Sequence, residues 1–372
     1  MRVLVAPDSF KGSMSAVEVC DTVRQALKAS VPDCEVDCIP VADGGEGTAD
    51  SFAFACGAKM HKAEVTGPDF RRVEADFAVM GDTAVIETAK ACGLPLVGDK
   101  NDPVSATTFG VGELIVSALD IGCRKIILGI GGSATNDGGI GCLSALGVRF
   151  LDAKGDTVSP NGLGLYNMKS VDISGMDKRL KECEFTVLCD VENPLYGENG
   201  AAFVYAPQKG ADKGKVLFLD KALKNYERVV KTSIGADCAL LPGSGAAGGM
   251  GYGFRVFLGA VLSSGAETIL NLCGFDERAE SADVIITGEG RFDSQSLMGK
   301  ITGRVISAAN GKPVIMLCGI SLLKEARGVS AVFETNPEHL PFEDVLPNCK
   351  KSLYRAVFED VAGFLKKIEK NS

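Results

Sequence analysis

At 372 residues the chain exceeds what one hydrophobic core usually spans, so two domains are predicted, and its 46% hydrophobic content argues against disorder. With 39 Lys plus Arg against 48 Asp plus Glu, a net charge of −9 and no basic block, nucleic acid is set aside as a partner. Thirteen cysteines without a Cys-x-x-Cys pair, and only His61 and His339, set aside a disulfide framework, zinc ligation and histidine triads, and point to a reduced, cytoplasmic protein.

In chain order, 2–6 reads as a strand, followed by Pro7-Asp8-Ser9-Phe10-Lys11-Gly12 and an amphipathic helix over 15–29. The N-terminal apolar run is too short for a signal peptide. A second unit of the same kind follows: a strand over 35–41, the loop Asp43-Gly44-Gly45-Glu46-Gly47-Thr48, and a helix to about 54. Alternation over 73–80 and 84–88 around Gly81-Asp82 predicts a hairpin, which marks an inserted domain. A helix over 109–120 leads into a strand over 125–130 and the polar glycine loop 129–139. Strands over 148–151 and 185–189 and a helix over 212–232, entered through Gln208-Lys209-Gly210, come next. The uncharged stretch 238–254 is glycine and alanine broken by Pro242 and Ser244, which argues against a membrane span. Residues 254–262 have helical length. The chain closes with strands over 283–287, 313–318 and 331–335 and helices over 299–310 and 352–367.

The predicted fold is therefore α/β: a doubly wound, mostly parallel sheet domain (1–62 and 276–372) with a second α/β domain (63–275) inserted in the middle of the chain. Ligands of such sheets gather at the carboxyl ends of strands, where Asp8, Asp43 and Glu289 fall. The loop carrying Gly131, Gly132, Ser133, Thr135, Asn136 and Asp137 lies between an apolar run and a helix, an arrangement that holds anions through inward backbone amides and the helix dipole. A tight turn capped by Asp137 is the plainer alternative. Asp190 directly follows an apolar strand, where a carboxylate can take a proton or hold a metal. Thr287-Gly288-Glu289-Gly290-Arg291-Phe292-Asp293 reads as a glycine-flanked loop with acid, base and acid. An acidic protein that binds anions needs lysine, arginine, amides or a divalent ion, so magnesium is expected. Gly299-Lys300 fails the P-loop spacing, since Ser294 stands five before Gly299 and Ile301 follows Lys300; no Gly-x-Gly-x-x-Gly follows the first strand. Aspartates, cations and anion-binding loops without a Ser-His or Cys-His pair suit phosphoryl transfer.

Ala6-Pro7-Asp8-Ser9-Phe10-Lys11-Gly12, Ala42-Asp43-Gly44-Gly45-Glu46-Gly47-Thr48, the loop 129–139, Cys189-Asp190-Val191-Glu192-Asn193-Pro194-Leu195, Ala206-Pro207-Gln208-Lys209-Gly210-Ala211 and Thr287-Gly288-Glu289-Gly290-Arg291 together resemble the bacterial type I glycerate kinases. The likeness runs nearly end to end. It implies phosphorylation of glycerate by ATP with Mg2+ on a two-domain α/β fold, with the active site in the cleft between domains. Two departures stand out: the family's proline two residues after Gly299-Lys300 is replaced here by Thr302, and Asn101-Asp102-Pro103 stands where Arg-Asn-Pro is more usual. On this reading Asp190 is the base, with Asp8 as its rival. Lys11 and Arg291 neutralise substrate carboxylate and phosphoryl group, residues 131–137 cradle phosphate, and Asp43, Glu46 and Asp293 are the magnesium candidates. The 2-hydroxyl is favoured over the 3-hydroxyl as acceptor. A nicotinamide or flavin oxidoreductase and a non-catalytic carboxylate sensor remain alternatives, and homo-oligomerisation stays open.

Overall fold

The computed structural model describes residues 1–297, 301–323 and 325–371. Gly299-Lys300, and with them the start predicted for the following helix, lie outside the described residues. The chain divides into two compact units: Met1–Asp43, Asp50–Ala58 and Ala266–Ser372 make the first, Gly44–Ala49 and Lys59–Gly265 the second. Numbered along the chain, β1 (Arg2–Val5) and β2 (Glu35–Cys38) belong to the first unit. The second takes β3 (Lys59–Thr66), β4 (Arg72–Met80), β5 (Thr83–Glu87), β6 (Lys125–Gly129), β7 (Arg149–Leu151), β8 (Ser170–Asp172), β9 (Glu184–Leu188) and β10 (Val261–Ser263). The first unit resumes with β11 (Val284–Phe292), β12 (Val314–Ser321) and β13 (Ala331–Glu334).

In the first unit five parallel strands lie in the order β13-β12-β11-β1-β2. Parallel neighbours need crossovers, and the helix Ala16–Ser30 supplies the one from β1 to β2. It starts where it does because of a capping box. Ser15 Oγ accepts from the Glu18 amide at 3.2 Å, and the Glu18 carboxylate accepts from the Ser15 amide at 3.0 Å. Its buried stripe, Val19, Val23, Ala26 and Leu27, packs on Val3, Val5, Ile286 and Leu317 of the sheet. One step along β12, Met316 and Cys318 turn to the opposite face and pack with Phe292. Both faces are thus covered, as the doubly wound reading expects. The order reverses between β1 and β11, so the crevice of this sheet opens beside Asp8 and Glu289.

The second unit holds a six-stranded sheet, β10-β9-β6-β5-β4-β3, in which the first four strands are parallel and β4 and β3 antiparallel. Parallel pairing brings the carboxyl ends of β5, β6 and β9 together, with Glu87, the glycine loop and Asp190 at them. Phe77, Ile86, Leu114, Ile126, Leu128 and Val187 form the core of this sheet. A separate cluster surrounds the helix Lys213–Ile234, whose Asp212 cap accepts from the Lys215 amide at 2.8 Å and which buries Leu219, Leu223, Tyr226 and Val230. Among the described residues no helix is long and apolar enough to cross a membrane.

Three sequence expectations need correction. Residues 287–293 are not a loop: β11 runs through Phe292, with Glu289 paired to Cys318 and Arg291 to Ile320 of β12. Gly288 and Gly290 mimic loop punctuation within a strand, and the two-residue period puts Glu289 and Arg291 on one face. The apolar stretch 254–262 is not one helix. The helix Ala246–Leu258 ends at Gly259 with φ 63°, and Val261–Ser263 is β10. The hairpin β4–β5 carries a third antiparallel strand, β3, whose largely solvent-facing side chains give no apolar alternation to read.

Candidate active site

The glycine loop after β6 is scaffolded by its own carboxylate. Asp137 is fully buried: its Oδ2 accepts from the Thr108 amide (2.9 Å), the Thr108 hydroxyl (2.8 Å) and the Gly141 amide (3.2 Å), and its Oδ1 from the Gly139 amide (3.0 Å). Burial pushes its pKa up, and the four hydrogen bonds oppose that shift without cancelling it. The first-turn amides at Gly139 and Gly141 are thus already occupied, and the following helix, Ile140–Ala145, is short. Anion binding through a bare helix N-terminus is therefore not what this loop offers, although the plainer capping role of Asp137 is realised.

What the loop does offer lies earlier. Gly132 is exposed and Gly131 half-buried, next to buried Ser133. Lys209, which sequence reasoning gave no role, donates to Ser133 Oγ at 2.9 Å and to the Thr135 carbonyl at 2.7 Å. Asn101 Nδ2 donates to the carbonyls of Ala134 and Lys209, both at 2.8 Å. Thr135 Oγ1 and both side-chain polar atoms of Asn136 are buried with no hydrogen-bond partner among the described residues. Such groups are rare in folded proteins unless a ligand or water meets them.

Two glycine-rich segments back this loop. Gly44 has φ 91°, and a Cβ there would lie 2.6 Å from Leu188 Cβ, while its carbonyl accepts from the Gly131 amide at 3.2 Å. Gly44→Ala is expected to lower stability by about 2–3 kcal/mol through left-handed strain and overpacking; a urea unfolding curve superimposing on the native one would refute this. A Cβ on Gly248 would meet the Thr135 carbonyl at 2.3 Å. The small residue at this position thus serves the close packing of backbone, here against the loop itself.

Glu87, on the last position of β5, is also buried and accepts from the Ala49 amide at 2.7 Å, holding the start of the helix Thr48–Cys56. The signal that flagged Asp190, an acid ending an apolar strand, was present here too. Asp190 itself is exposed after β9, and Glu46 is exposed.

In the first unit, Asp8 follows β1, its amide donating to the Gly288 carbonyl at 2.8 Å and its Oδ1 accepting from the Ser9 amide at 2.6 Å. Burial raises its pKa to about 6; the Ser9 hydrogen bond opposes the shift, while the negative charges of Asp43 and Glu289 add to it. Three carboxylates are thus electrostatically coupled at the switch point of the sheet. Lys11 and Arg291 are exposed. Arg291 Nε lies 3.6 Å from Asp293 Oδ2, and Asp293 Oδ1 accepts from the Gln295 amide at 2.8 Å, so Asp293 is engaged in its own turn. Among the described residues no group of three or more His, Cys, Asp or Glu is arranged to hold a metal ion.

The model of the glycerate kinase family matches residues 3–366. The chain belongs to that family. It is 45% identical over 344 residues to a protein of Escherichia coli K12 named glycerate 2-kinase, covering 90% of each chain. A Bacillus subtilis 168 protein named glycerate kinase is 41% identical over 376 residues, 98% of each chain. A crystal structure from Salmonella typhimurium LT2, described as a glycerate kinase 2, superposes with a TM-score of 0.89 at 42% identity, covering 100% of this chain and 99% of that one. Every motif that carried the resemblance lies inside the matched span.

Proposed function

We propose that this chain transfers the γ-phosphoryl group of ATP to the 2-hydroxyl of D-glycerate. The observation that carries the reading is coverage. The relative named glycerate 2-kinase aligns over 90% of each chain, so the reading draws on both the acidic strand ends of the first unit and the glycine loop of the second.

Phosphoryl transfer asks a protein for positioning and charge neutralisation more than for covalent chemistry. In the first unit Asp8 has the properties of the base: strand-end placement, partial burial and a pKa near 6 that leaves it ionised yet basic at neutral pH. This reverses the preference drawn from sequence, where Asp190 stood first. Lys11 and Arg291 offer cations for the substrate carboxylate and the phosphoryl group. The mutual repulsion of Asp8, Asp43 and Glu289 suits a divalent ion, and magnesium, which keeps several waters, needs only one or two carboxylates. Asp43, whose negative charge acts on Asp8, is the favoured ligand. When bound, magnesium would supply charge neutralisation on the phosphates. In the second unit the exposed Gly132 with Ser133 receives phosphate oxygens, the Gly131 amide being bonded to the Gly44 carbonyl. Thirteen free thiols accord with a reducing, cytoplasmic setting.

The test is ADP release from ATP and magnesium with and without D-glycerate, with the product identified by NMR. Glycerate-dependent release and a 2-phosphorylated product are expected. A 3-phosphorylated product overturns the position. Glycerate binding without ADP release overturns the kinase reading in favour of a carboxylate sensor.

A further inference from the structure

Lys209 is only 3% exposed, yet among the described residues no carboxylate lies within ion-pair distance of it. An ammonium taken out of water without a direct ion-pair partner is unfavourable unless something else compensates it. Its hydrogen bonds indicate where that compensation comes from. A lysine has three donors and no acceptor. In the 2.9 Å contact with Ser133 Oγ the hydroxyl must therefore accept, and its own proton is turned elsewhere. The second donor takes the Thr135 carbonyl at 2.7 Å. The backbone of the same lysine is held in place: Pro207–Lys209 forms a tight turn ended by Gly210 at φ 93°, and the Lys209 carbonyl is tied through Asn101 to that of Ala134. The outcome is a polar row fixed from beneath by a buried cation, with Gly132 exposed and the side-chain polar atoms of Asn136 without a hydrogen-bond partner among the described residues.

We propose that Lys209 is a positioning residue for phosphate: it aims the Ser133 hydroxyl at an anion seated beside the exposed Gly132, and that anion adds a negative charge to the one that Asp137 sets near the ammonium without an ion-pair contact. This rests on the phosphoryl-transfer reading above. The titratable groups facing Lys209 are Cys92, from the helix Ala89–Cys92, and Asp137, from the loop. Burial brings Lys209 down to about 8, whereas Cys92 is pushed up to about 12 and stays a neutral thiol. Above pH 8 the lysine loses its charge, and phosphate affinity weakens with it.

ATP binding is measured by calorimetry at pH 7 and pH 9 for the native chain, Lys209→Met, Ser133→Ala and the double variant. Lys209→Met should weaken ATP about 10-fold or more, the range for a charge-assisted hydrogen bond. The native affinity should fall from pH 7 to pH 9, and that of Lys209→Met should stay flat relative to it. Ser133→Ala should lose less, and the double variant no more than Lys209→Met alone, because the two act in series. A Lys209→Met protein with a lowered unfolding midpoint but native ATP affinity and native pH dependence would overturn the proposal and leave a merely structural lysine. Should Lys209→Met fail to fold, Ser133→Ala still decides, since unchanged ATP affinity there overturns it as well. Native glycerate-dependent ADP release alongside unimpaired ATP binding in the variants would sink this proposal alone; a native chain that neither binds ATP nor turns over sinks both.

Discussion

Asp8→Asn is expected to lower turnover by roughly 10²–10⁴-fold, the usual contribution of a general base, with ATP binding largely intact. Asparagine keeps the size of the side chain and an oxygen to accept from the Ser9 amide, which donates to Asp8 Oδ1 at 2.6 Å in the native chain. What it removes is the capacity to take a proton. Asp190→Asn, at an exposed position, is expected to lose less. Steady-state ADP release and nucleotide calorimetry on both variants separate the two assignments; near-native turnover in Asp8→Asn with collapse in Asp190→Asn would return the role to Asp190. The same substitution has a signature in stability. The folded pKa of Asp8, about 6, lies above its ordinary 3.8. Between these values the folded chain holds more protons than the unfolded one, so unfolding free energy falls as pH rises through that window. The native chain should therefore gain stability relative to Asp8→Asn on acidification from pH 6 to pH 4, by on the order of 2 kcal/mol. Urea midpoints across that range check it, and a pH-independent difference would contradict the raised pKa.

The second large effect is expected at Asp137, through stability. Both carboxylate oxygens accept backbone N–H groups, Oδ1 from Gly139 and Oδ2 from Thr108 and Gly141, with the Thr108 hydroxyl also donating to Oδ2. An asparagine in the same place must turn its NH2 toward one set or the other. Either orientation sets donor against donor in a fully buried site. Asp137→Asn should therefore lose roughly 3 kcal/mol or more, close to the cost of removing one partner from a buried charged cluster. The damage should spread, because the Thr108 hydroxyl also accepts from the Cys142 amide at 2.9 Å and so couples the loop to the helix behind it. Equilibrium unfolding in urea reads the loss directly. An unchanged midpoint would mean that the four hydrogen bonds do not hold the loop.

Asp8 and Asp137 differ in how far sequence could reveal them. Asp8 follows a four-residue apolar strand, so a local pattern places it at a strand end, and the topological switch point of a doubly wound sheet does the rest. Asp137 looked equally suited to a ligand, and the same local pattern could not say that Thr108, 29 residues earlier, had already claimed it. Lys209 is a stronger case. It reaches Ser133 across 76 residues, and nothing in Pro207-Gln208-Lys209-Gly210 says that its ammonium is buried. Glu289 and Arg291 were recognised as a pair but placed in a loop, because Gly288 and Gly290 read as punctuation until β12 pairs with them.

Period-2 and period-3.6 patterning, glycine loops after apolar runs and acids at strand ends are properties of neighbours in the chain. They were enough for the α/β class and for the family resemblance. Which carboxylate is spent on scaffolding, which lysine is stripped of water and which acid has its pKa raised depend on residues brought together from dozens or hundreds of positions apart. Burial and hydrogen-bond satisfaction come into being only when the chain closes on itself, so only the tertiary structure could decide them.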